Sequence, residues 1–188
     1  MRFVCAVILL ACGRDAPEIS IATAHGSAAE RQTREDLADL LDRYDLSPWR
    51  STRRVTIDED AIPHSHPVLT LHTRHLGDPD MLLATNVHEQ IHWQVDAEPA
   101  KLQRALTRLR ARYPSPPVGF PEGARNQDSS WLHLVVCWLE LEAMKTLLGD
   151  TRARALMARQ DHYTWIYARV LEDAEIGNIV KAAGLAPN

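Results

Sequence analysis

No run of about 18 apolar residues occurs in the chain, so no segment is long enough to cross a bilayer as a helix. Nor is there an excess of positive charge. The formal net charge is -4, and the basic run Arg50, Arg53, Arg54 is short and reads as a solvated edge. That balance leaves no electrostatic footprint for nucleic acid. Internal repeats and low-complexity blocks are absent, which excludes solenoids and biased tails. Cysteines number three, too few for a disulfide framework, so the fold must hold by its core. What is present is ordinary in bulk: 188 residues, 45% hydrophobic and 24% charged, fit one folded domain.

The first residues stand apart. Arg2 supplies one positive charge, residues 3–11 are apolar, and Cys12 follows. That is the order of a secretory signal. "LLAC" at 9–12, followed by Gly13, resembles the bacterial lipobox. The resemblance implies a signal peptide over 1–11 and lipidation at Cys12. It also implies export to the bacterial cell envelope, on the periplasmic side or at the outer membrane. Membrane attachment would then be by the lipid anchor. Cys5 would leave with the signal, and Cys137 would be a lone thiol.

Residues 12–27 lack periodicity and read as a tether, which leaves 28–188 as a single domain. Leu37, Leu40, Leu41 and Tyr44 recur at helical spacing. Thr52–Asp58 and Pro67–Thr73 alternate like strands, and a small antiparallel hairpin is the simplest way to join them. Asp78, Pro79 and Asp80 form a helix start by cap, fixed φ and dipole. A further helix is expected over Pro99–Arg112. Residues 113–128 carry four of the 11 prolines and must be a loop. Asp128 or Ser129 would cap an apolar helix ending at Gly149. A short helix near Thr151–Ala158 and a longer one over His162–Ala183 complete the chain. The fold class is therefore α+β, mainly α, with an antiparallel hairpin packed on a helical core.

The chemistry is concentrated in "ATNVHEQIHWQV", residues 84–95. His88 and His92 are four apart, so on a helix both can reach one ion. Glu89 is turned about 100° from His88 and stands beside that ion without being forced to ligate it. This His-Glu-x-x-His pattern resembles the HExxH signature of the zincin metallopeptidases. The resemblance implies a Zn2+ cofactor, a zincin-like core, and a peptide or protein substrate. It further implies a metal-activated water, with Glu89 as general base.

A catalytic zinc site wants three protein ligands. The metzincin extension needs glycine at 95 and histidine at 98, where this chain has Val95 and Glu98. The pattern that remains is similar to the gluzincins, in which a glutamate on a later helix completes the site. On the apolar helix after Ser129, the residues His133, Cys137, Glu140 and Met144 share one face. Glu140 is the first choice of third ligand and His133 the alternative. Two turns separate them, about 10 Å, so one ion is expected to take one of the two directly rather than both. Gluzincins often hold the first histidine with an acidic residue four after the ligand; here that position is Met144. Tyr163 is the candidate donor to a developing oxyanion. The functional reading is a zinc-dependent hydrolase, most naturally a peptidase. The alternatives are a non-catalytic envelope lipoprotein with a structural or vestigial metal site, and a helical di-iron protein, for which only one ExxH pair is present.

Overall fold

The computed structural model describes residues 19–186, so the signal peptide expected over 1–11 and the lipidation candidate Cys12 lie outside the described residues. Three strands form one sheet in the order β1 (Ser20–Thr23), β2 (Arg54–Ile57), β3 (Leu69–Leu71). Both pairings are parallel, with Ile21 beside Val55 beside Leu69, and Thr23 beside Ile57 beside Leu71. This overturns the expected antiparallel hairpin. The cause is the crossover: α1 (Ala28–Arg43) returns the chain to the starting end of the sheet before β2 begins, which two-residue hairpins cannot do. The stretch 58–68 repeats the return before β3. An isolated bridge between His64 and Thr70 is the antiparallel element among the described residues. β1 itself falls in the stretch read as a tether.

α1 is fastened to the sheet by its first turn. Ser27 caps the helix through its side chain, and the Glu30 carboxylate reaches back to the amides of His25, Gly26 and Glu59. The His25 ring adds a fourth contact at 3.0 Å. Burial pushes the Glu30 carboxyl up, but these hydrogen bonds outweigh it and bring it down from 4.5 to about 2. A carboxylate depressed in the folded state stabilises above its unfolded pKa and loses that contribution as pH falls through the folded one. Acid titration followed by circular dichroism is therefore expected to show weakening between about pH 4.5 and about 2. Glu30→Gln should flatten that window; an unchanged acid limb in the variant would refute the clamp.

α2 (Pro79–Asp96) and α4 (Gln127–Leu148) make the centre of the molecule. α2 starts where the sequence indicates, with Asp78 accepting from the Met81 amide at 3.2 Å and Pro79 in the first turn. Leu83, Val87 and Ile91 are fully buried along one side. The α4 cap is Asn126, which accepts from the Ser129 amide, slightly earlier than the expected Asp128 or Ser129. Gly149, at φ 84°, ends α4 in a conformation that favours glycine. α4 is apolar on nearly every side and is packed by α2, α3 (Pro99–Arg112), α5 (Asp150–Ala158), α6 (Thr164–Glu172) and α7 (Ala174–Ala182).

The long C-terminal helix expected over His162–Ala183 is two helices. Asp173 interrupts it, capping α7 through the Glu175 amide at 3.0 Å while accepting from Arg112 and Tyr113 of the α3 end. A side chain that serves the backbone in this way favours a boundary over a helix interior. The break lets α6 pack on α4 beside the histidines and α7 turn back toward α3.

Candidate metal centre

Two turns of α2 and one of α4 face each other at the histidines. His88 and His92 come from α2 and His133 from α4, and each offers a ring nitrogen within 4.8 Å of the others. The ring centroids form a near-equilateral triangle, with sides of 5.1, 5.1 and 5.5 Å. Three imidazoles converging on one point is the donor set a small divalent ion requires. This is a zincin-like triad.

Two of the three rings are held from behind. His133 Nδ1 lies 2.7 Å from the Ser129 carbonyl, which can only accept, so the proton is on Nδ1 and the Nε2 lone pair is free. His88 Nδ1 lies 2.8 Å from Glu140 Oε2, and once that carboxyl is ionised it can only accept, which puts the His88 proton on Nδ1 in the same sense. The Tyr167 hydroxyl donates to the same carboxylate oxygen at 2.8 Å. His92 makes no hydrogen bond to a described residue. Burial lowers His88 from 6.5 to about 3, His133 to about 3, and His92 to about 2, the last helped by its imidazole neighbours. All three are therefore neutral at pH 7, the form that binds metal.

Two carboxyls complete the centre. Glu89 is 7% exposed and makes no hydrogen bond to any described residue. Burial, then the nearby Glu140, raises it to about 8. Burial likewise raises Glu140 to about 8, against the lowering effect of the Tyr167 hydroxyl. Two buried carboxyls and three neutral imidazoles suit a cation placed among them, because the cation's charge offsets the cost of ionising the carboxyls. The residues fit a bound zinc.

A second trio, His88, Cys137 and Glu140, is equally close. It suits an ion less well. His88 and Glu140 already satisfy each other, Cys137 is fully buried, and burial holds its thiol well above its usual range. A third group, His25, Glu30 and Asp58, is the α1 clamp, whose carboxylate is spent on backbone amides.

The structure thus brings His88, Glu89, His92, His133, Glu140 and Tyr163 into one locality. Tyr163 stacks against His133 at 4.3 Å between centroids and against His88 at 6.4 Å. It does not share a helix face with Tyr167, as the four-residue spacing suggests, because it precedes α6 in a left-handed conformation, φ 53° and ψ 34°. For a bulky non-glycine residue that backbone is strained and is retained where surrounding structure demands it. Burial raises its hydroxyl to about 12, so it remains a proton donor at neutral pH.

Two contributors escape the sequence reading. Tyr167, four after Tyr163, was open to the same oxyanion role from sequence, and its bond to Glu140 went unread; the signal for it was a position in an apolar segment, since a buried tyrosine hydroxyl must find a partner. The Ser129 carbonyl carried no signal at all. No family model, curated protein or solved structure matches the chain.

Proposed function

We propose that the protein is a zinc-dependent hydrolase that cuts peptide bonds. The observation that carries this reading is Glu89: a buried carboxyl with no structural partner, beside three clustered histidines, two of which, His88 and His133, are held from behind at Nδ1. A structural site has no use for an uncommitted acid at that position, whereas hydrolysis needs a group to take and return a proton.

His88, His92 and His133 would hold the ion, and zinc there supplies a Lewis acid that acidifies water and polarises a carbonyl. Glu89 takes the proton from the attacking water and passes it to the leaving amine. Burial and the nearby Glu140 raise its pKa in the metal-free site, and a bound cation would lower it toward the range in which a carboxyl can both take and return a proton. Glu140 does not ligate in this reading. It holds His88 from behind and is itself held by Tyr167, the role for which the sequence offered no acidic residue at Met144. Tyr163 donates its hydroxyl to the oxygen that gains charge, from a backbone position too strained to be incidental. The expected site of action is the cell envelope, reached through the lipobox at Cys12.

The test is metal content and hydrolysis together. Purified protein should carry one zinc and cleave a denatured protein such as casein. Dialysis against 1,10-phenanthroline should remove both, and added zinc should restore them. Stoichiometric zinc with no cleavage of any peptide in a diverse library would reject the hydrolase reading.

A further inference from the structure

α2 carries two of the three triad histidines and Glu89, so its rotation about its own axis decides where all three point. Hydrophobic burial does not set that rotation. From Met81 to Ile91 every residue except Thr85 is buried, so turning the helix only exchanges one buried side chain for another. Asp80, in the first turn, pairs with Arg152 at 2.7 Å. That anchor lies about 15 Å along the axis from Gln90 and gives the motif little leverage.

Inside the motif, between Glu89 and Ile91, Gln90 is only 5% exposed. Its Oε1 accepts from the amides of Ser51 and Thr52, both at 2.8 Å, and its Nε2 donates to the Thr52 carbonyl at 2.9 Å. Three bonds to one short stretch of backbone fix the direction of the side chain as well as its reach. That stretch leads into β2, the central strand of the sheet. Two residues from each histidine, Gln90 stands about 160° around the helix from both His88 and His92. The peg and the ligands are therefore on opposite sides of the same turns. Trp93, about 60° from Gln90, adds a second tie by donating Nε1 to the Ser65 carbonyl at 2.7 Å. Among the described residues, these are the side-chain hydrogen bonds that join residues 85–95 to the segments flanking β2.

Resting on the zinc-hydrolase reading above, we propose that Gln90 is a positioning residue for the metal centre. By pegging α2 to the backbone before β2, it fixes the rotation that brings His88 and His92 onto His133 and sets Glu89 beside them. His133 comes from α4, so the triad closes only when two helices agree in phase. Gln90 touches neither the ion nor a substrate and acts through α2. Ser51 is exposed and Thr52 half-buried, so water can take over the backbone groups when the peg is removed. The fold then survives while the aim is lost. A misplacement of about 1 Å, arising away from the chemistry, costs on the order of 10²-fold in rate.

The test is Gln90→Met, which keeps the length of the side chain and removes all three bonds, studied both zinc-loaded and cobalt-substituted. The visible absorption bands of bound cobalt should shift, because the two α2 ligands have turned. With zinc, kcat for peptide hydrolysis should fall by about 10–100-fold at unchanged KM. The cobalt bands read ligand geometry without turnover. If they shift and neither protein cuts a peptide, the peg stands and hydrolysis alone is rejected. Loss of the metal from a folded variant supports the peg as well. Bands identical to those of the parent overturn it, whatever happens to the thermal midpoint, because Gln90 would then serve the fold alone. Should Gln90→Met fail to fold, Ser51→Pro decides, since it deletes one of the three bonds at an exposed position and leaves α2 untouched. A shift in the same direction supports the proposal, and unshifted bands reject it.

Discussion

Glu89→Gln is expected to leave the protein fully zinc-loaded and to slow peptide hydrolysis by about 10²–10⁴-fold, the range for a positioned acid–base group. The two halves of that result come from different parts of the geometry. Zinc retention follows from the triad, since Glu89 contributes no member to it. Glutamine matches the shape of the buried side chain and brings no charge, so neither packing nor desolvation argues against folding. It also removes the like-charge neighbour of Glu140, which eases ionisation of that carboxyl rather than hindering it. The loss of rate is specific because an amide cannot accept the proton. Steady-state kinetics on one cleavable peptide, with zinc measured on the same sample, decides it. A variant as active as the parent would remove Glu89 from the mechanism and leave the triad without a base.

The start of α2 and the HExxH pair were legible because local signals agree there: cap, proline, acidic first turn and helical spacing all point one way. The pairing of the strands was not. β1 is four residues with no apolar run, and its partner lies beyond a whole helix, so nothing within the stretch announces it. Parallel order is a property of the crossover, not of the strands. The C-terminal break was half legible, since Asp173 is a good cap in a pattern otherwise continuous with helix. Tyr163 was placed at the site by its residue type, but its left-handed backbone was not legible, and the next residue, Thr164, is held by Pro121, 43 residues away in sequence.

The harder case is the choice between Glu140 and His133. An amphipathic helix reveals its rotation through its apolar stripe. α4 is apolar almost all round, so its sequence contains no phase from which to decide which ionisable residue meets the ion. In the proposed site, hydrogen bonding favours His133. His133 has a carbonyl behind it and an open nitrogen in front, whereas Glu140 is already shared by His88 and Tyr167.

Two substitutions should therefore separate the roles. His133→Ala removes one of three ligands and is expected to abolish stoichiometric zinc binding at micromolar metal, and with it all hydrolysis. Glu140→Gln keeps an oxygen that can accept from His88 Nδ1 and from the Tyr167 hydroxyl, so zinc should remain, with affinity lower by about 10–100-fold. The metal-free protein supplies an independent reading. A carboxyl raised to about 8 in the folded state costs stability as pH rises from its unfolded value near 4.5 toward 8, because the unfolded chain ionises first. Metal-free Glu140→Gln should thus be at least as stable as the parent at pH 8 by urea unfolding, which shows that any loss of zinc is not a loss of fold. Competitive titration with a chromophoric chelator measures the affinities. The opposite ranking, zinc lost in Glu140→Gln and retained in His133→Ala, would make the carboxylate the ligand. In that event His133 would keep its Ser129 hydrogen bond and its ring contacts with His88, His92 and Tyr163 without ligating, and Tyr167 would be bonded to a ligand rather than to the group that orients one.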